Sequence, residues 1–157
     1  MERKRFTITS ALLYANGPIH LGHLAGAYLP ADIFARYQKL KGHDVAFICG
    51  SDEHGAAITI QAKKDGITPK EIIDKYHEIN KNSFKEFGID FSIYDRTSSA
   101  EHHETAQNIF SELEKKKCFT KKTSQQFYDA QNKQFLADRY IVGTCPCLLY
   151  TSDAADE

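Results

Sequence analysis

One nearly uninterrupted apolar run, DVAFICG at residues 44–50, constrains the fold of this chain more than any other feature. A run this short, rich in β-favouring residues and closed by glycine, reads as a strand buried on both faces, the habit of a parallel sheet. Parallel neighbours cannot be joined by a tight turn and need crossover helices, so the flanks of the run should be helical. They read that way. Before it, His20 to about Leu40 has helical periodicity, with Leu21, Leu24, Tyr28, Phe34, Tyr37 and Leu40 able to share an apolar face. Pro30 should kink or interrupt that helix, and Gly42 suits its C-terminal cap.

After it, AAITIQAKK predicts a short helix closed by Asp65-Gly66. Thr68-Pro69-Lys70-Glu71 opens another, because Thr68 and Glu71 can form a capping box around a first-turn proline. That helix should run to Phe87 and stop at Gly88. RFTITSALL at 5–13 and DFSIYD at 90–95 read as further strands, and Ser98 with Glu101 can box a last helix reaching about Lys117. This alternation predicts an α/β fold with a parallel, Rossmann-like sheet. Past Cys118 the texture shifts to short alternating pieces, which suggests hairpins in a small β-rich unit.

A chain of 157 residues is about one domain's worth. Its formal net charge of −1 excludes general polyanion binding, so any nucleic-acid contact must be local. No apolar run approaches the roughly 18 residues that span a bilayer. The basic start, MERKR, precedes an apolar stretch interrupted by Thr7, Thr9 and Ser10, which reads as a strand rather than a signal peptide. A cytoplasmic protein is expected. In that setting Cys49 is a small core residue, while Cys145 and Cys147 are crowded enough to suggest metal more than disulfide.

The chemistry concentrates in YANGPIHLGH, residues 14–23, and GSDEHG, residues 50–55. Each follows a strand of the expected sheet, and ligands bind beyond the carboxyl ends of such strands, so both should project to one rim. His20 and His23 lie three apart in the first turn of a helix, where unpaired N–H groups and the macrodipole favour an anion. Gly22 would let a flat ring approach the backbone. Phosphates beside the histidines, a base against the glycine and an ammonium at Asp52 make a nucleotide site. A divalent metal held with Asp52 and His54, and plain surface, are the rival readings. His102-His103 reads as an exposed helix face, and His43 and His77 as histidines without a role.

SALLYANGPIHLGH together with GHDVAFICGSDEHG, ITPKEIIDKYH and FLADRYIVGTCP resembles the opening of the class I aminoacyl-tRNA synthetases, most closely those of the methionyl type. HLGH matches the HIGH signature of that class. The likeness runs from about Phe6 to Pro146 and implies a methionine–tRNA ligase: ATP-dependent activation of methionine, then transfer to tRNA(Met). The resemblance implies catalytic roles for His20 and His23, and ATP binding by Tyr14, Asn16, Gly17, His20, Gly22 and His23. It implies methionine binding by Leu12, Tyr14 and Asp52, with Mg²⁺ accompanying ATP. Where the family usually has proline, this chain has Leu13, which leaves φ freer.

It further implies that residues 1–115 form the first half of the synthetase's nucleotide-binding domain. Residues 116–146 would begin an inserted connective-peptide domain, and 147–157 read as a non-native read-through tail rather than a frayed native end. The insertion carries a zinc knuckle in the family. Cys145 matches its first ligand, but Cys147 falls one position early for the usual two-residue gap, so Zn²⁺ is implied for a full-length protein and not supported by this spacing. A fragment of this extent would lack the lysine loop that completes the ATP site, and is expected to be inactive alone. Another class I synthetase, a related nucleotidyltransferase, or a non-catalytic synthetase-derived binding module are the alternatives.

Overall fold

In the computed structural model, which describes residues 2–130, 134–136, 142–144 and 151–153, the first two strands run along the same edge of a third. These are β1 (Arg5–Thr9), β2 (Leu13–Tyr14) and β3 (Asp44–Asp52). All pairings with β3 are parallel, and β4 (Ile93–Arg96) takes its other edge, since Ile48 and Ser51 are each paired on both sides. The α/β class with a parallel sheet is therefore as expected. The single strand anticipated over 5–13 is broken, however. Thr9 pairs with Ile48 and Leu13 with Ser51, so four steps on one strand match three on the other. The extra residue is a bulge at 10–12, the device that re-aims side chains beside functional sites.

The helical segment after β2 changes register twice: α1 (Leu21–His23), a π-helical turn (Leu24–Tyr28), and α2 (Leu29–Leu40). Pro30 sits in the first turn of α2, and the wider π turn before it takes the place of a sharp kink. The buried face of α2 is not the expected one. Asp32, Ala35 and Gln38 face inward, whereas Phe34, Tyr37 and Leu40 are exposed. Asp32 is held there because its carboxylate accepts both the Arg36 Nε–H at 2.6 Å and the Asp90 N–H at 3.1 Å. A buried acid with two charge-assisted partners fixes the helix's rotation, and apolar periodicity does not reveal such bonds.

Two helices follow β3: α3 (Ala56–Asp65), ended by Gly66 at φ 68°, and α4 (Pro69–Glu86). The capping box at Thr68 forms, with Thr68 Oγ1 accepting the Glu71 N–H and the Glu71 carboxylate accepting the Thr68 N–H. Helix α5 (Ala100–Lys115) starts one residue from expectation. Ser99, not Ser98, accepts the His102 N–H, because the Ser98 hydroxyl donates to Glu53.

Residues paired across the sheet share a face. Ile8, Phe47, Cys49 and Tyr94 pack with Leu24, Tyr28, Ala35 and Phe84 in one core. A fully buried aromatic such as Phe47 contributes about 1.5–3 kcal/mol. The opposite face carries Thr7, Thr9, Ile48, Ile93 and Asp95 and opens onto a cleft of about 470 Å³. The double-sided burial expected of DVAFICG thus holds on one side. Successive right-handed crossovers in one direction put α2 and α4 on the same face of the sheet.

The chain divides into two compact units, Met1–Asn108 and Ile109–Glu157. In the second, β5 (Tyr128–Asp129) pairs antiparallel with β6 (Gln134–Phe135), and β7 (Val142–Thr144) with β8 (Thr151–Asp153). The Cys145 metal expectation lies outside the described residues, as does most of the expected 147–157 tail. No described helix is long and apolar enough to cross a membrane.

Candidate active site

The pairing of Tyr14 with Asp52, and the bond from the Ala15 N–H to the Asp52 carbonyl at 2.9 Å, bring the two chemistry-bearing segments to one rim. On the first segment, His20 caps α1. Its Nδ1 accepts the N–H groups of Gly22 at 3.1 Å and His23 at 3.4 Å, while His23 Nδ1 accepts the His20 N–H at 3.4 Å. A nitrogen that accepts an N–H carries no proton, so each ring is left with Nε2–H as its donor. The rings stack with centroids 3.7 Å apart, and burial together with the His20 ring holds the His23 pKa below its ordinary value. Two stacked imidazoles, each with an Nε2–H donor, therefore stand at the start of the helix.

Gly22 serves this arrangement directly. A Cβ there would lie 3.0 Å from Cε1 of His20, so glycine admits the residue's own capping imidazole. At Gly17 a Cβ would meet nothing, and the backbone there does not require glycine.

Tyr14, Asn16, Gly17 and His23 line a second cleft of about 250 Å³. Leu12, thrust out by the bulge and half exposed, lines both this cleft and the larger one. The bulge is held from beneath: the Ala11 carbonyl accepts the Tyr28 hydroxyl at 3.1 Å and the Cys49 thiol at 3.6 Å. Burial pushes the Cys49 thiol up to about 11, consistent with a packed, unreactive group. Leu13, between these residues, is buried in the core. Asp52 lines neither cleft. Its carboxylate accepts the His54 N–H at 3.3 Å and is partly exposed at the end of β3. His54 points to the Thr97 carbonyl, 3.3 Å away, and among the described residues no three His, Cys, Asp or Glu side chains could hold a metal ion.

The residues that anchor the acidic turn were not legible as site residues. Glu53, with its side chain wholly buried, accepts two bonds from Arg96 Nε, at 2.8 and 2.9 Å, and one each from the hydroxyls of Ser51 and Ser98. Its own N–H donates to Thr97 Oγ1 at 2.8 Å. Arg96 reaches on to Asp74 at 2.6 Å, and Lys70 and Arg96 together hold the Asp74 carboxyl below its usual range. His77, read from the sequence as having no role, is buried with Nδ1 at 2.7 Å from Ser51 Oγ. His43, read likewise, accepts the Lys4 N–H and packs on Phe6; His102 and His103 lie on an exposed helix face, as expected. The one local signal available was a histidine and an asparagine, His77 and Asn80, in the interior of a helix that neither favours.

The family model described as tRNA synthetases class I (M) matches residues 6–157. A methionine–tRNA ligase of Parabacteroides distasonis is 62% identical over 143 residues, covering 91% of this chain and 21% of that protein. One from Flavobacterium johnsoniae is 60% identical over 143 residues. The chain thus spans about one fifth of the length of the curated relatives it matches. Among solved structures, Mycobacterium tuberculosis methionyl-tRNA synthetase in complex with methionyl-adenylate shares the fold at a TM-score of 0.76 and 23% identity, over 91% of this chain and 28% of that one.

Proposed function

The chain belongs to the tRNA synthetases class I (M) family, and on that premise we propose that it supplies the ATP- and methionine-binding rim of a methionine–tRNA ligase. In this reading residues 1–115 are the first half of the nucleotide-binding domain and 116–146 begin an insertion. The full-length protein activates methionine and passes it to tRNA(Met) in the cytoplasm. The observation that carries the reading is the stacked His20–His23 pair, aimed by its own backbone bonds, on the same rim as Asp52.

The methionine carboxylate is ionised at neutral pH, so its attack on the α-phosphate of ATP needs no general base. An oxygen–phosphorus bond forms, the bond to the bridging oxygen breaks, and pyrophosphate leaves with the electron pair. The difficulty is charge. His20 and His23 would donate Nε2–H to the phosphate oxygens as negative charge shifts onto the leaving group, and being preoriented they lose little to reorganisation. Asp52 would hold the methionine ammonium, and Leu12 and Tyr14 would contact the side chain. Tyr14, Asn16, Gly17 and Gly22 would shape the ATP-side turn. Magnesium would arrive with the ATP phosphates, whose charge it would offset.

Methionine-dependent ATP–pyrophosphate exchange, measured on the full-length protein carrying this segment, tests the reading. Replacing His20 or His23 with alanine should slow exchange by roughly 100- to 1,000-fold, the usual cost of one preorganised donor, while the Kd for methionine stays near wild type. Equal losses in rate and in methionine affinity, or exchange driven by another amino acid, would overturn it.

A further inference from the structure

We infer that Asn80 and His77, one turn apart on the inward face of α4, are positioning residues that set the spacing between the two halves of this site. The inference rests on the function proposed above. Asn80 is fully buried, and its carboxamide bridges the turn that delivers His20: Oδ1 accepts the Ile19 N–H at 2.8 Å and Nδ2 donates to the Gly17 carbonyl at 3.1 Å. These two groups flank Pro18, which has no N–H to offer. A carboxamide presents a donor and an acceptor in one plane. A carboxylate in its place would set lone pairs against the Gly17 carbonyl, and an apolar residue would leave both part-buried peptide groups without this partner.

His77 does the equivalent for the other half. The Ser51 hydroxyl gives its proton to Glu53 Oε1 at 2.8 Å, so the 2.7 Å contact with His77 is one in which Nδ1–H donates to Ser51 Oγ. Ser51 directly precedes Asp52 on β3, and one turn back Asp74 holds Arg96. A single stripe of α4, at 74, 77 and 80, thus grips both rim segments through side chains. Backbone bonds join those segments only where Leu13–Ala15 meets Ser51–Asp52. The distance from the histidine pair to Asp52 therefore depends on α4, and misplacement of reacting groups by about 1 Å can cost around 100-fold in rate.

The test uses exchange kinetics and methionine calorimetry on the full-length protein with N80A, N80D, H77F and H77N. Both Asn80 variants should lower kcat by about tenfold or more and leave methionine Kd within about threefold. H77F should weaken methionine by about tenfold with a smaller effect on kcat, and H77N, whose Nδ2 can take the place of Nδ1–H, should recover to within about threefold of wild type. Should N80A fail to fold, N80D, close to asparagine in size, decides the point. Parallel loss of kcat and methionine affinity in both sets, no rescue by H77N, or variants indistinguishable from an active wild type would overturn the positioning role alone. A wild type with no methionine-dependent exchange would instead overturn the function on which it rests.

Discussion

The turn at 20–23 and the turn at 51–54 end side by side, yet they are built in opposite ways. The histidine bonds of the first span two or three residues, and its tip is exposed. The second hangs on partners from 26 to 45 residues away, around a carboxylate with no exposed surface. The histidine cap of the first can be written in a few letters, because short-range geometry creates its bonds, although Asn80 holds the chain that leads into it. The second also has two short-range bonds, Ser51 to Glu53 and His54 to Asp52, but its buried carboxylate needs the tertiary fold to supply Arg96, Ser98 and the His77 that meets Ser51. A site whose donors are locally made and whose acidic half is globally anchored should respond differently to damage on each side.

The largest effect should come from removing the long-range anchor. Arg96→Ala leaves Glu53 buried without its cation, and the loss should be about 3 kcal/mol, the lower part of the range for broken buried pairs since Arg96 is partly exposed. Denaturant unfolding of the full-length protein checks this; a loss under about 1 kcal/mol would show the Glu53 cluster to be held by its hydroxyl partners instead. The local half should show the converse. Gly22→Ala places a methyl 3.0 Å from the His20 ring, displacing the cap at a cost of about 1 kcal/mol. Exchange activity should nevertheless fall about tenfold or more, because the donor moves. An active Gly22→Ala enzyme would break the contrast.

The smallest effect concerns pH. Burial, reinforced by Arg96, keeps the His77 pKa below its ordinary 6.5. The unfolded chain binds that proton near 6.5 and the folded chain resists it, so stability is full above this pH and declines as the pH falls through the lower folded value. His77→Asn should flatten that acid limb in equilibrium unfolding. An unchanged limb would assign it to other groups.

Much of the fold could be read from individual residues. Thr68, Pro69 and Glu71 specified a helix start, and Gly66 and Gly88 the ends, because caps depend on neighbours within one turn. The same locality made His20, His23 and Gly22 visible as candidates. The failures share a cause too. Asp32 turned α2 away from its most apolar face, Ser98 was drawn off its expected cap by Glu53, and the bulge at 10–12 follows from pairing with β3. Each depends on a partner far away in sequence.

By itself, then, the amino-acid sequence determined the parallel α/β alternation, the helix caps and a histidine pair at a helix start, since each follows from periodicity or from bonds closing within a turn. The tertiary structure alone decided that the Glu53 side chain is buried and that α4 grips both rim segments. The reason is physical: a buried charge or carboxamide is stable only where distant segments supply its partners, and no local pattern encodes which segments those will be.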